Sequence, residues 1–247
     1  MLYIVGNGPS RKDFDLEKCR AYGCEWYGCN GIYTEAVPDI LFVHDIPVQH
    51  EVFEAGVYKD MPIAVGDWNP MEIELYDQMK FAYGNMKVIE NRSEDDTHFV
   101  VQGEGEEVFL TSYNSSLGDN IIMYNYPKLK NTFCGITALG YAAEQGHKAI
   151  TLVGFDALDP SLDSVGNVYE NTGLLKYKTK YTKEDTIYWI QRFQFVSLLK
   201  DKLFEDIDVF FENPLDNKQP IIYNELTYYE NSKDRWSLGE SSLFDFQ

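Results

Sequence analysis

The sequence predicts an α/β fold: a Rossmann-like, mostly parallel sheet with helices on both faces. Short apolar runs of strand length lie at Leu2–Val5, Glu25–Cys29, Ile40–Val43 and Ala149–Val153. The segments between them show mixed helical periodicity, and the clearest amphipathic helix spans Glu184–Phe204. Alternation of strands and helices is typical of a mostly parallel sheet.

The remaining elements follow from local signals along the chain. A strand is predicted at Pro62–Val65, and a helix at Pro70–Ala82, because proline suits the first turn of a helix. The small residues of Cys134–Gln145 favour a helix packed closely on the sheet. Asp208–Phe211 completes the core as a last strand.

One domain covering residues 1–247 is expected, since 247 residues with 44% hydrophobic content can bury one sizeable core. Three segments have loop-like composition. They are a hairpin-like insertion at 91–131 that is rich in polar residues, a lid at 157–183, and a C-terminal tail at 215–247. The tail is polar with aromatic residues, so it is a candidate to cover a sheet edge or to mediate homo-oligomer contacts.

The charge balance restricts the partners. Against 21 basic residues stand 40 acidic ones, which gives a formal net charge of −19. Such a surface repels nucleic acid and anionic membranes. The apolar runs are shorter than the roughly 20 residues of a membrane-spanning helix, and the cysteines lack paired spacing and a preceding signal segment. We therefore expect a cytoplasmic protein without a membrane span and without a nucleic-acid partner.

The primary candidate site is the loop Gly6-Asn7-Gly8-Pro9-Ser10, directly after the first strand. Glycine permits close backbone approach, so amide groups in such a loop can converge on a phosphate, assisted by the following helix. Asn7 and Ser10 add side-chain donors. The alternative interpretation is a tight turn selected for its backbone geometry alone.

Three parts of the sequence carry a resemblance to a known family. They are Tyr3–Ser10, Tyr27–Asn30, and the small-residue helix followed by Gly146–Asp156. Together they resemble the bacterial lipooligosaccharide sialyltransferases and the related pterin diphosphokinase-like proteins. Small proteins of this type also occur in phage genomes.

The resemblance implies a set of nucleotide-binding residues. Asn7, Gly8, Ser10 and Asn30 would contact the nucleotide of a CMP-sugar. Gly6 and Pro9 complete the loop around them.

Two positions depart from the family pattern. Asp45 stands where the family has an asparagine, and a carboxylate there would more naturally receive a ribose hydroxyl, an amino group or a metal; the alternative is a helix N-cap. The family's Thr-Ser-Gly appears here as Phe133-Cys134-Gly135. Cys134 and Gly135 would thus lie beside the donor without the serine hydroxyl.

The catalytic base is the other departure, since the family uses a lid histidine that this lid does not contain. Tyr181 is the best placed substitute, with Tyr169 and Tyr177 as donors to the leaving phosphate. Nearby lysines would either lower the pKa of Tyr181 or neutralise the phosphate. His44 is a further candidate for a base or ligand.

Asp156 follows a strand and Gly154, where side chains of such folds face the ligand. It is a candidate catalytic residue, and it would bind Mg²⁺ together with Asp45 if a metal were used. Structural hydrogen bonding to a neighbouring loop is the alternative. No cofactor is required by the pattern, and no dedicated metal site is predicted.

Three functions remain open. The first is a glycosyltransferase that moves a sugar from a nucleotide-sugar donor to a hydroxyl acceptor. The second is a Mg²⁺-dependent diphosphokinase-like enzyme that grips ATP with its lid lysines. The third is a nucleotide-binding protein without catalysis.

Overall fold

The structure is a computed structural model. It describes residues 1–21, 23–66, 69–70, 86–92, 96–103, 109–115, 120–124, 133–158, 164–170, 180–185, 207–212 and 221–222.

The strands and helices alternate between residues 2 and 65 and again between residues 121 and 153. The strands are β1 (Leu2–Val5), β2 (Glu25–Cys29), β3 (Ile40–Val43), β4 (Ile63–Val65), β5 (Asn69–Pro70), β6 (Met86–Arg92), β7 (Asp96–Gly103), β8 (Phe109–Ser115), β9 (Ile121–Met123), β10 (Ala149–Val153), β11 (Ser164–Val165), β12 (Tyr181–Thr182), β13 (Asp208–Glu212) and β14 (Ile221–Ile222). The helices are α1 (Leu16–Ala21), α2 (Ile46–Glu54) and α3 (Cys134–Glu144), with 3-10 turns at Pro9–Asp13, Asn30–Thr34, Val57–Lys59 and Asp156–Leu158.

The main sheet has the strand order β14-β13-β10-β1-β2-β3-β4-β9. Every neighbouring pair from β13 to β9 is parallel, and β14 pairs antiparallel with β13. This arrangement confirms the predicted Rossmann-like α/β fold with its mostly parallel sheet.

Two apolar clusters cover the two faces of the sheet. Side chains alternate along a strand, so Leu2 and Ile4 of β1 join α3 in one cluster. Val5 joins α2 in the other. Val48 and Val52 of α2 are fully buried there. Helices therefore pack on both faces, as predicted.

Helix α3 is held close to the sheet by its small residues. A Cβ at Gly135 would lie 2.4 Å from Cε1 of Phe155, so only glycine fits there. The helix ends at Glu144, and Gly146 shortly after it has a φ of +87°, which favours glycine. The N–H groups of Gly146 and His147 donate to the carbonyls of Ala143 and Ala142, which satisfies the last turn.

The expected insertion has different bounds in the structure. Strands β6, β7 and β8 form an antiparallel meander that begins at Met86, before residue 91. Ile121–Met123, inside the expected range, pairs parallel with β4 and belongs to the main sheet. Pro70 lies in β5, which pairs with β8, so the prediction of a helix starting there is wrong at that residue; 71–82 lie outside the described residues.

The described part of the lid contains a short antiparallel ribbon, in which β11 pairs with β12. After it, Lys183–Asp185 are helical, in agreement with the predicted start of the late helix, whose remainder is outside the described residues. In the tail, β14 lies at the edge of the main sheet. Within the ranges given above, no helix has the length and apolarity needed to cross a membrane.

Candidate functional site

The glycine loop lies where the order of the sheet reverses. From β1 the chain builds outward through β2, β3 and β4, and β10 then returns to the other side of β1. Ligands of open α/β folds bind in the crevice beyond the carboxyl ends of strands at such a point. The loops after β1 and β10 are joined there, because the N–H groups of Gly6 and Gly8 donate to the carbonyls of Val153 and Gly154, both at 2.8 Å.

Asp156 binds the glycine loop from the β10 side. Its carboxylate accepts hydrogen bonds from the Ser10 N–H at 3.2 Å and from the Ser10 hydroxyl at 2.8 Å. A Cβ at Gly8 would lie 1.9 Å from Asp156 Oδ2, so glycine is needed there for space. The 3-10 turn at Pro9–Asp13 has no side-chain cap of its own at Gly8, and Asp156 supplies the acceptor that the turn lacks.

Three N–H groups of the loop therefore have protein partners in this structure. Gly6 and Gly8 donate to the carbonyls of Val153 and Gly154, Ser10 donates to Asp156, and Pro9 has no N–H. For Ser10 to donate to a phosphate as predicted, Asp156 would first have to move away, and the Gly8 N–H would have to leave the carbonyl of Gly154. Asp156 itself, expected to face the ligand, has the structural partner that the alternative interpretation anticipated.

A buried arginine ties the glycine loop to the lid. Arg11 is 3% exposed, and its Nη2 donates to Oε1 of Glu35 and to Oη of Tyr169, both at 2.8 Å. This contact lowers the pKa of Glu35, chiefly through the hydrogen bond from Arg11. Burial is the main cause that raises the pKa of Tyr169. Tyr169 was predicted to bind the leaving phosphate. In the structure its hydroxyl accepts a hydrogen bond from Arg11, which follows the glycine loop.

Asn7 also connects the loop to its neighbours. Its Nδ2 donates to the carbonyl of Cys29 at 2.9 Å, and its own carbonyl accepts the Val168 N–H of the lid at 2.9 Å. Asn7 therefore fixes the end of β2 and the lid relative to the glycine loop.

Asn30 has an unusual backbone conformation. Its φ of +50° is the sole positive value outside glycine in the described ranges, a region in which asparagine is tolerated better than most residues. The residue is 9% exposed, and its buried Oδ1 has no hydrogen-bond partner. Strained, incompletely paired residues are concentrated at functional sites.

Asp45 is the partner of Asn30. Asn30 Nδ2 donates to Asp45 Oδ2 at 2.7 Å. Burial raises the pKa of Asp45, whereas the hydrogen bond from Asn30 acts in the opposite direction. The residue nevertheless retains an exposed surface, which is the combination expected of a carboxylate in a cleft. Asp45 also occupies the N-cap position of α2, as the alternative prediction held, although its side chain makes no capping bond.

Cys134 lies beside this pair at the start of α3. Its thiol donates to the carbonyl of Phe42 at 2.7 Å. Burial, with further contributions from Cys29 and Asp45, raises the pKa of Cys134, so the thiol is neutral at pH 7. Gly135 follows it and packs on Phe155, which is a structural role.

Tyr181 reaches the same cleft from the lid. Its pKa is raised to about 12, first by burial and then by the charge of Asp45, while a hydrogen bond from Asn167 opposes the increase. Tyr181 therefore carries its proton at neutral pH and can donate a hydrogen bond in that state. Its predicted role as the base stays a prediction.

Several predicted site residues thus come together and others do not. Asn30, Asp45, Cys134 and Tyr181, which we call the cleft cluster, converge at the ends of β2 and β3. His44 ends β3 and is partly buried. Tyr177 lies outside the described residues.

Sequence reasoning missed three residues of this region: Arg11, Glu35 and Asn167. Asn167 carried a weak signal, since asparagine in a loop commonly bonds a backbone N–H two residues on, here that of Tyr169 at 3.0 Å. The other two carried none, because charged residues are expected on the surface.

The described residues do not fit a metal centre. Among them, no three His, Cys, Asp or Glu side chains come close enough together to hold an ion. Asp45 is bonded to Asn30 and Asp156 to Ser10, so the two carboxylates proposed for Mg²⁺ have separate partners.

Comparison of the chain with known protein families, curated proteins and solved structures gave no match. The resemblance to the sialyltransferases therefore stays a prediction.

Proposed function

We propose that the protein binds a nucleotide-sugar in the cleft beyond β1, β2 and β3 and transfers the sugar to a hydroxyl acceptor. The observation that carries this proposal is Asn30: a buried residue with φ of +50° and an unpartnered Oδ1. Folding alone does not favour such a residue, since glycine would adopt the same backbone without a buried polar atom. A ligand that donates to Oδ1 supplies the missing partner.

The surrounding groups support a polyhydroxylated ligand. Asp45 offers carboxylate oxygens and Tyr181 a hydroxyl at neutral pH. A nucleotide-sugar carries hydroxyl groups on both its ribose and its sugar, and these can donate to the acceptors. The position at the reversal of strand order is where ligands bind in this class of fold.

The reaction is a direct displacement. The acceptor hydroxyl oxygen forms a bond to the anomeric carbon while the bond from that carbon to the donor phosphate breaks. The nucleotide leaves as an anion, and the hydroxyl proton passes to a base. His44, which follows β3 and precedes Asp45, is our candidate base, since histidine is the side chain that most often transfers protons in enzymes.

A diphosphokinase fits the described residues less well. It would use Asp45 and Asp156 on one Mg²⁺, and these carboxylates are bonded to Asn30 and Ser10. We therefore derive no step through a metal.

A thermal-shift panel of CMP-, UDP- and GDP-sugars and ATP, each with EDTA and with Mg²⁺, tests the proposal. A donor present at about 100 times its Kd should add about 2.7 kcal/mol of stability, and should do so in EDTA. The binding donor is then incubated with sugar acceptors, and product is sought by mass spectrometry. Stabilisation by ATP in Mg²⁺ alone would favour the kinase, and binding without product would favour a non-catalytic protein.

A further inference from the structure

Two hydrogen-bond acceptors lie side by side in the cleft. One is Oδ1 of Asn30, which is buried and has no partner. The other is the carboxylate of Asp45, to which Asn30 Nδ2 donates at 2.7 Å. Asp45 is exposed to a group that enters the cleft, and the buried Oδ1 of Asn30 beside it still requires a donor.

The direction of the Asn30 amide follows from Asp45. If the amide were rotated, its Oδ1 would face the carboxylate, and two acceptors would be in contact. The observed orientation avoids this repulsion. It leaves Oδ1, and not the amino group, as the atom without a partner.

Among the described residues, no cation is paired with the negative charge of Asp45. Burial and Asn30 are the influences on its pKa, and within the described ranges no Lys, Arg or His side chain forms an ion pair with it. Cys134 next to it is a neutral thiol. A second anion placed here would be repelled by the Asp45 carboxylate.

We propose that Asn30 and Asp45 form a subsite that selects a neutral, hydroxyl-bearing group of the ligand and rejects a carboxylate or phosphate. This inference rests on the proposed function and makes it more specific. The hydroxyl groups have two sources, the ribose of the nucleotide and the sugar to be transferred. In either case Asp45 is the specificity-determining residue, and it departs from the asparagine of the family that the sequence resembles.

Calorimetric titrations with matched ligands test this subsite. Neutral and anionic sugars are compared in UDP-glucose against UDP-glucuronate, GDP-mannose against GDP-mannuronate, and the methyl ester of CMP-sialic acid against CMP-sialic acid. Ribose is tested by nucleotides with and without the 2′-hydroxyl. Each series is measured on the wild type, on Asp45→Asn, and on Asp60→Asn, which changes an exposed carboxylate elsewhere.

If the sugar occupies the subsite, the wild type should bind the neutral member about tenfold more tightly, and Asp45→Asn should reduce that ratio to about one. If ribose occupies it, removal of the 2′-hydroxyl should weaken binding to the wild type about tenfold. The affinity of Asp45→Asn should be the same with and without the 2′-hydroxyl. Asp60→Asn should behave as wild type in both series.

If nucleotides bind but the affinity differs neither between neutral and anionic sugars nor with the 2′-hydroxyl, the subsite is overturned and the proposed function stands. Discrimination that persists in Asp45→Asn would also overturn the subsite. Absence of binding by every nucleotide would overturn the proposed function, and the subsite with it. Circular dichroism of each variant verifies that it is folded.

Discussion

Ser10 donates two hydrogen bonds to the carboxylate of Asp156, one from its backbone N–H and one from its hydroxyl. The two residues are 146 positions apart in the chain, so this contact joins the loops after β1 and β10. The carboxylate of Asp156 therefore accepts the hydrogen bonds of Ser10 that a bound phosphate was expected to accept. The acceptors of the cleft cluster, one strand farther along the sheet, become the main candidate for ligand recognition.

Loss of the Asp156 carboxylate should destabilise the fold. Asp156→Ala leaves the buried Ser10 N–H and hydroxyl without their acceptor, which we expect to cost about 2 kcal/mol. Asp156→Asn retains one acceptor oxygen and should cost about half as much. Urea denaturation measures both, with Asp60→Ala as the control; equal stability of Asp156→Ala and the control would refute the assigned contact.

The contact between Arg11 and Glu35 should make stability depend on acid. The pKa of Glu35 is lowered from 4.5 by Arg11. Its stabilisation is thus present in full well above that value, and is lost as the pH falls through the lower folded-state pKa. Glu35→Ala should cost about 1 kcal/mol at neutral pH, a value reduced because the Glu35 side chain is 43% exposed.

The measurement for Glu35 is the free energy of unfolding of wild type and Glu35→Ala at a series of pH values. The difference between them should shrink as the pH falls below 4.5. A difference that is constant with pH would contradict the assignment of the effect to an ionised Glu35.

Asp45 should produce the opposite pH dependence. Its pKa is raised from 3.8, so ionisation disfavours the folded state, and the penalty grows as the pH rises through the folded-state pKa. The free energy of unfolding of Asp45→Asn should therefore rise relative to that of wild type with increasing pH. In acid the two free energies should become similar. Denaturation of both proteins across this range provides the check, and a relative loss of stability with rising pH would be inconsistent with the placement of Asp45.

The parallel core was predictable because its signals are local. The runs at Leu2–Val5 and Ala149–Val153 are dense in strand-forming residues, and the structure has both strands with those bounds. β9 was missed because Ile121–Met123 is short and lies in a polar segment. Its place in the sheet depends on β4, which is distant in sequence.

The site was predictable only in part, for a similar reason. Asn30 and Asp45 were identified through the resemblance to the sialyltransferases, and both follow strands whose ends meet in a parallel sheet. The burial of Arg11 depends on Tyr169, 158 residues away, and no local pattern encodes that contact. Asp156 was identified as a candidate residue, but its bond to Ser10 joins positions 146 residues apart, which no local pattern encodes either.

The most direct test of the central claim is a titration of a nucleotide-sugar into wild type and Asn30→Gly. Glycine adopts the positive φ of this position without strain, so Asn30→Gly should be at least as stable as wild type in urea. We predict that it binds the donor about tenfold more weakly, since Oδ1 and the bond to Asp45 are absent. Unchanged affinity in Asn30→Gly, or no affinity in the wild type, would contradict the account.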